Sequence, residues 1–234
     1  SAATELRPRC ATMGAVFLCV EVFMACFEYG ETELAYLRSR DARLAEAIDA
    51  IGHVEREVDP DLFSSVMHHI IGQQISTRAQ ETVWQRLVER AGPVSAETIC
   101  SLAPASLQGL GMTFRKAGYI KDFAEKVTRG EFDIQALRDL PDAEVVKKLS
   151  SLKGVGPWTA EMVMIFCMQR PDIVSYGDLA IHRGMRMLYR HRSIDRKKFA
   201  KYARCYSPHG TVASLYLWAI AGGAIPDLSD CAPP

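Results

Sequence analysis

The sequence predicts an all-helical protein, arranged as one domain or as two closely packed lobes. Apolar residues recur at intervals of three and four along most of the chain after residue 31. Glycine, proline or helix-capping residues separate these stretches, and no convincing run of alternating apolar and polar residues follows residue 30. At 234 residues and 48% hydrophobic content, the chain can bury a core without a metal or a disulfide.

The expected helices follow one another with short connections. A first apolar stripe begins near residue 32 and ends at Gly52, a residue type that suits a helix C-terminus. Asp59 and Pro60 have the residue types of an N-cap and a first helical turn, and Ser76 is expected to cap the next helix, which ends at Gly92. The remaining helices are expected over 95–109, 115–128, 141–150, 157–169, 178–190, 195–205 and 209–223.

Charge is distributed unevenly although the formal net charge is zero. Residues 21–61 hold eleven acidic and four basic side chains, whereas the segment from His182 to Arg204 holds nine basic side chains and the single acid Asp195. Such a basic run is most often a solvated helix face, and it also permits a surface that faces DNA.

Seven cysteines occur at scattered positions, with no CxxC pair and no cluster of four. An odd number of scattered cysteines is typical of reduced thiols in a cytoplasmic protein, and it argues against a zinc ribbon or an iron–sulfur cluster. No HExxH motif is present, so no metal site is expected.

Residues 1–31 are expected to be an N-terminal extension that carries no functional residue. The segment from Met13 to Tyr29 is strongly apolar, but Glu21 interrupts it and it is short for a membrane span. With Arg7 and Arg9 ahead of it, this segment has features of a signal peptide. A stretch that packs on the body of the protein is the favoured interpretation. No membrane association is expected.

The most informative segment is LKGVGPWTAEM, from Leu152 to Met162. Two glycines one residue apart are expected to let the backbone turn tightly with positive φ, and Pro157 starts a new helix. Unsatisfied N–H groups at the start of that helix form an anion site. Val155 is expected to anchor the loop in the core, and Lys153 to add a mobile charge. The pattern predicts a helix–hairpin–helix that grips a DNA backbone without reading its sequence.

Together with the Gly177-Asp178-Leu179 turn that follows it, this hairpin resembles the helix–hairpin–helix (HhH-GPD) DNA glycosylase superfamily, and within it the 3-methyladenine DNA glycosylase II branch. The resemblance covers about residues 32–223 and has five markers in the family's order. These are Ile71–Ser76, Leu110–Met112, the hairpin, the Asp178 turn and Leu215–Trp218.

The resemblance implies a two-lobed helical glycosylase fold with the active site in the cleft between the lobes. The glycosylase domain is expected over 32–234. Its central lobe takes in about residues 62–168 with the hairpin at 152–158, and its second lobe comprises about 32–60 and 172–226.

Asp178 is the catalytic residue that the resemblance implies, in an enzyme that flips a damaged base out of double-stranded DNA. Breaking an N-glycosidic bond develops positive charge on the sugar, and a neighbouring carboxylate stabilises that charge. An aspartate ahead of an apolar helix is also an ordinary N-cap, and the two roles are compatible.

Two departures from other family members bear on the activity. Superfamily members that also cut the DNA strand carry a lysine at the position of Trp158, and others have a four-cysteine iron–sulfur loop where this chain has Cys231 alone. A monofunctional glycosylase without a cofactor is therefore expected, acting on 3-methyladenine and on 7-methylguanine. The alternatives are a glycosylase for an oxidised or deaminated base and a non-catalytic helix–hairpin–helix DNA-binding protein.

The resemblance also assigns the surroundings of Asp178, in a protein expected to be a monomer. The base pocket is expected from Trp158, Trp218, Tyr176 and Met162, the last at a position where a relative has tyrosine. Gln74, next to Gln73, is the expected wedge that fills the gap left by the base. The expected DNA-backbone contacts are Lys153, Gly154, Val155, Gly156, Thr159, Arg183 and Arg186. The two arginines are expected either to face phosphates or to brace the loop.

Overall fold

The computed structural model describes residues 25–232. Within this range the protein has twelve α-helices and one 3₁₀ helix, and its only extended pairing is an isolated bridge between Cys26 and Glu57. The all-helical prediction is confirmed. The apolar segment considered at 13–29 lies mainly outside the described residues. No helix of residues 25–232 has both the length and the apolar character to cross a bilayer.

The start of the fold differs from the expectation in two places. The first stripe forms two helices, α1 (Glu31–Arg40) and α2 (Ala42–Ile51), because Asp41 is extended and its carboxylate accepts the Leu44 N–H at 2.9 Å. Helix α3 (Leu62–Gly72) is capped by Asp61, which accepts the Ser64 N–H at 2.7 Å. Asp59 was the wrong cap, and its carboxylate accepts the Asp61 N–H instead.

The middle of the chain continues with α4 (Thr77–Ala91), which Ser76 caps as predicted. The single helix expected over 95–109 is two short helices, α5 (Ala96–Ser101) and α6 (Pro104–Gly109), since Pro104 cannot continue a helix that has already begun. The elements that follow are α7 (Phe114–Thr128), a 3₁₀ helix (Gln135–Asp139), α8 (Asp142–Leu149) and α9 (Pro157–Phe166).

The last three helices are α10 (Leu179–Tyr189), α11 (Arg196–Tyr206) and α12 (Gly210–Ala221). Helix α10 lies so close to α12 that a Cβ at Gly184 would stand 2.2 Å from the Leu217 carbonyl oxygen. This contact fixes the direction of α10, and with it the position of the aspartate at its start.

Two clusters of buried apolar side chains form the core. The first draws on side chains between Leu62 and Ile173, and the second on Phe27–Val58 together with Ile181–Ile220. Trp218 packs against both clusters. The turn that carries Asp178 connects the last residue of the first cluster to α10 in the second, so it lies where the two cores meet.

Candidate active site

Asp178 is the N-cap of α10, and four N–H groups hold its carboxylate. Oδ1 accepts the backbone N–H groups of Ala180 and Ile181, each at 2.9 Å, and the indole N–H of Trp218 at 3.2 Å. Oδ2 accepts the indole N–H of Trp158 at 2.9 Å. Asp178 is buried, with 7% of its surface exposed. A buried carboxylate with four N–H donors carries its negative charge in a fixed orientation.

The two indoles reach Asp178 from different elements. Trp158 lies in the first turn of α9 and is 40% exposed, so one part of its ring faces outward. Trp218 lies near the end of α12 and stacks on Phe166, with ring centroids 5.5 Å apart. The structure brings the two predicted tryptophans to the predicted carboxylate, and it adds a hydrogen bond from each that sequence spacing does not reveal.

The hairpin has the predicted tight turn, but only one of its glycines has positive φ. Gly154 has φ +82°, and a Cβ there would lie 2.2 Å from the Tyr119 ring. Gly156 has φ −99°, is the N-cap of α9, and would place a Cβ in open space. Val155 is 6% exposed and belongs to the first core cluster, as predicted. The hairpin therefore leaves an uncapped, open helix N-terminus at Gly156.

The loop after α3 is tied to the hairpin. The Gln73 side-chain amide donates to the Gly154 carbonyl at 2.7 Å, rather than to its own backbone. Lys116 donates from Nζ to the carbonyls of Ile71 and Gln73, at 2.7 and 2.6 Å. Gln74, the predicted wedge, is exposed and has φ +58°. The loop is held from two sides while the side chain of Gln74 remains at the surface.

Three residues lie elsewhere than predicted. Met162 is 3% exposed and packs in the first core, so it is too deep to line an open pocket. Thr159 is 4% exposed and is approached by the Gln73 amide at 3.4 Å, so it faces the protein instead of DNA. The Tyr176 ring packs against Phe199 of the second core cluster, with 5.0 Å between centroids.

The Tyr176 ring belongs to an aromatic group that packs on the second core cluster. The Arg196 guanidinium lies 4.3 Å from its centroid, and His182 packs edge-on against it at 4.9 Å. His182 Nε2 is 2.8 Å from the Tyr176 carbonyl oxygen. His182 therefore stabilises the turn before Asp178, which agrees with a structural role.

Several predicted DNA-backbone contacts already have ionic partners. Arg186 makes a two-point contact with Asp230, at 2.8 and 2.6 Å, and Arg183 approaches the same carboxylate at 3.8 Å. Lys153 donates to Asp122 at 2.6 Å, and this contact raises the pKa of Lys153. Arg186 is only 20% exposed and acts as a brace for the C-terminal segment. Arg183 and Lys153, 54% and 64% exposed, remain accessible.

Three residues near the site were missed from the sequence. Glu161 and Ser175 form a hydrogen-bonded pair beside the Asp178 turn. Phe114 begins α7 and is 68% exposed, two residues from the Lys116 that binds the Gln73 loop. A large apolar side chain directly after the Thr113 cap, two residues beyond the Leu110–Met112 marker, is a signal that could have identified Phe114.

Metal-ligand geometry is not found among the described residues. No group of three or more His, Cys, Asp or Glu side chains in residues 25–232 is arranged to hold a metal ion. Cys100, Cys167, Cys205 and Cys231 are free thiols, and burial raises the pKa of Cys167 to about 11.

Comparison with known proteins agrees with this geometry. A family model described as the HhH-GPD superfamily of base excision DNA repair proteins matches residues 67–208, which include the Gln73 loop, the hairpin and the Asp178 turn. The chain belongs to the HhH-GPD superfamily. The match spans residues of both core clusters.

Individual HhH-GPD relatives carry related names. A crystal structure titled DNA-3-methyladenine glycosidase from Bacillus halodurans is 32% identical, with a TM-score of 0.77 over 88% of this chain and 96% of that one. A Bacillus subtilis protein provisionally named as a DNA-3-methyladenine glycosylase is 28% identical over 69% of this chain. The matched region covers only 59% of the Bacillus subtilis protein.

Another solved structure has the same fold with nucleic acid present. The Schizosaccharomyces pombe 3-methyladenine DNA glycosylase, in complex with abasic DNA, is 22% identical, with a TM-score of 0.75 over 85% of this chain and all of that one.

Proposed function

We propose that this protein is a DNA glycosylase that removes alkylated purines from double-stranded DNA and leaves an abasic site. The observation that carries the proposal is the Asp178 carboxylate, fixed by four N–H donors between two indoles and next to an open helix–hairpin–helix. The names of the Bacillus halodurans and Schizosaccharomyces pombe relatives support the substrate class. The preferred lesion is 3-methyladenine, with 7-methylguanine as a second.

Asp178 stabilises the positive charge that forms on the deoxyribose. At about 4 Å, with an effective dielectric constant of about 20, a carboxylate and a sugar cation attract each other by about 4 kcal/mol. That energy corresponds to roughly a thousandfold in rate. Because the carboxylate is already held by N–H groups, it needs little reorganisation when the cation develops.

The two carboxylate oxygens are not equivalent. Oδ1 has three donors, whereas Oδ2 has only the Trp158 indole and keeps a lone pair for the sugar or for water. In the hydrolysis the water oxygen bonds to C1′ while the bond from C1′ to the purine nitrogen breaks. The electron pair leaves with the base and neutralises its alkyl-induced charge, and the proton that the water loses passes to Oδ2 of Asp178 and from there to solvent.

Trp158 and Trp218 provide the aromatic surface for the flipped base. An electron-rich indole face attracts a cationic alkylated purine by about 0.5–2 kcal/mol. A cationic purine departs readily, so the reaction does not require a strong general acid. Because the indole faces favour a cationic base, a neutral oxidised or deaminated base is disfavoured as the main substrate.

We further propose that the enzyme lacks strand-cleaving lyase activity. The residue at the position of the lyase lysine is Trp158, whose indole N–H is engaged with Asp178. The nearby amine, Lys153, is bound to Asp122 on the other side of the hairpin. Neither side chain is suited to form a Schiff base with the sugar.

DNA binding is proposed to involve the hairpin and the Gln73 loop together. The N-terminus of α9 at Gly156 binds a backbone phosphate, and Gln74 enters the duplex where the base has left. The exposed Phe114 ring gives this surface an apolar side chain that can pack on unstacked bases. We propose that the protein acts on DNA as a monomer in the cytoplasm.

The proposal is tested by incubating the protein with methylated, oxidised and deaminated duplexes and identifying the released bases by mass spectrometry. We expect free 3-methyladenine, and strand breaks only after alkali treatment. Release confined to an oxidised or deaminated base would change the substrate class. Tight binding without release from any duplex would support the non-catalytic alternative.

A further inference from the structure

The turn that carries Asp178 has an unusual concentration of buried polar side chains. Six polar or charged residues of the described chain are buried, and four lie on or against this turn. They are Ser175, Asp178, Thr211 and Ser214. Buried polar groups are costly unless they are hydrogen-bonded, so a cluster of them marks a segment whose position is strongly specified.

Helix α12 holds the beginning of this turn. The Thr211 hydroxyl accepts the Ile173 N–H at 3.0 Å, and the Ser214 hydroxyl donates to the Ile173 carbonyl at 2.9 Å. Both backbone groups of Ile173 are therefore fixed by residues of the second lobe, five residues ahead of Asp178.

The second anchor comes from the helix that follows the hairpin. The hydroxyl of Ser175, which is fully buried, donates to Oε2 of Glu161 on α9. The Ser175 carbonyl accepts the Asp178 N–H at 3.3 Å. Glu161 lies one helical turn beyond Trp158, whose indole binds the Asp178 carboxylate. Helix α9 thus holds the Asp178 turn at two points, the Ser175 hydroxyl and the Asp178 carboxylate.

The electrostatics of Glu161 reflect its half-buried position beside the Asp178 turn. The pKa of Glu161 is raised chiefly because burial disfavours its ionised form; the Ser175 hydrogen bond opposes this shift, and the negative charge of Asp178 adds to it. A second carboxyl so close to Asp178 costs free energy, and the hydrogen bond to Ser175 gives it a specific structural use.

We propose that Glu161 is a positioning residue for the glycosylase reaction, holding the Asp178 turn in register with the hairpin helix through Ser175. The functional half of this inference rests on the proposed function, because it is measured as base release. The structural half is independent of that activity. Glu161 acts as a hydrogen-bond acceptor, so glutamine can replace it and alanine cannot.

The test compares S175A, E161A, E161Q and the S175A/E161A double variant with the wild type. Ser207→Ala is the matched control, since Ser207 donates to Asp172 at 2.5 Å in another serine–carboxylate pair of the second lobe. Base release is measured in single-turnover reactions, DNA affinity by fluorescence anisotropy, and protection of residues 175–181 by amide hydrogen exchange without DNA.

We expect S175A and E161A each to slow base release by about tenfold, the loss typical of a hydrogen bond to a charged group. DNA affinity should change by less than about threefold, and the double variant should be no slower than the slower single one, because both changes remove the same bond. E161Q and S207A should stay within about threefold of the wild-type rate.

The inference is overturned if S175A and E161A keep the wild-type rate, if E161Q is as slow as E161A, or if the two losses multiply. Should E161A fail to fold, S175A and E161Q decide the question. Should the wild type release no base, the proposed function fails on its own. Hydrogen exchange then decides: faster exchange of the 175–181 amides in S175A but not in E161Q or S207A supports the tether, and unchanged exchange refutes it.

Discussion

The N-termini of α9 and α10 present the same physical feature in opposite ways. Each begins with backbone N–H groups that lack partners within the helix. At α9 the cap is Gly156, no side chain occupies the N-terminus, and the surrounding space is open. At α10 the Asp178 carboxylate occupies the N-terminus itself and binds the Ala180 and Ile181 N–H groups. The first end is available to an anion from another molecule, whereas the second orients an anion that belongs to the protein.

On the proposed function, this contrast lets one small region bind DNA and act on it. A phosphate needs donors that are unoccupied, and a developing sugar cation needs a carboxylate that is already in place. Substitutions at one helix N-terminus or the other should therefore separate DNA affinity from the rate of base release.

The largest effect is expected from Asp178→Asn. Asparagine is a good N-cap and keeps the fold, but it removes the negative charge and turns an amide N–H₂ toward an indole N–H. We expect base release to fall by about a thousandfold while DNA affinity changes little. Single-turnover assays and anisotropy check this, with a thermal melt to confirm folding. A rate above one tenth of wild type would remove Asp178 from its catalytic role.

The next effect separates the two hairpin glycines. Gly154→Ala should destabilise the protein by about 2 kcal/mol or more, since φ is +82° and the new Cβ would meet the Tyr119 ring at 2.2 Å. Gly156→Val should fold almost normally, because its Cβ enters open space, and should weaken DNA binding by about tenfold by blocking the phosphate. Urea denaturation and anisotropy distinguish them. Equal DNA affinity for Gly156→Val and wild type would place the phosphate elsewhere.

A smaller effect is expected from replacing either indole by phenylalanine. Trp158→Phe and Trp218→Phe keep an aromatic face and lose the hydrogen bond to Asp178, at 2.9 and 3.2 Å respectively. We expect base release to slow by about tenfold, with lesion affinity less affected. Phe166→Leu serves as a control that alters the stacking behind Trp218 and leaves both donors in place. Loss of affinity without loss of rate would show that the indoles act only by stacking.

The smallest effect concerns the other end of α10, where Arg186 holds Asp230. This contact lowers the pKa of Asp230 below that of an ordinary aspartate. The ion pair therefore contributes fully to folding stability when the pH is above the ordinary aspartate pKa, and the contribution is lost as the pH falls through the lowered pKa of Asp230. Asp230→Asn should cost about 1 kcal/mol at neutral pH, and the cost should shrink as the pH falls below the ordinary aspartate pKa. Urea midpoints across this range test it. Unchanged base release would confirm that Arg186 and Asp230 lie outside the chemistry.

The sequence predicted the features that depend on local spacing. The helical period, the Ser76 cap, the buried Val155 and the turn at Gly154 were all visible within a few residues. The break at Asp41 was missed because its apolar stripe continues through it.

The features that remained hidden depend on residues distant in sequence. The sequence left open whether Arg186 contacts DNA or braces the protein, because its partner Asp230, 44 residues away, gives no local signal. Thr159 and Met162 were assigned to the surface of the site because the helical period does not show which flank of α9 meets the core. Glu161 and Ser175 are separated by 14 residues, and only the folded structure places them together.

The hydrogen bond from the Gln73 amide to the Gly154 carbonyl joins the loop after α3 to the hairpin before α9. A displacement of either segment is therefore passed to the other. On the proposed function, a duplex that pushes on Gln74 would also shift the helix end at Gly156 that binds its phosphate.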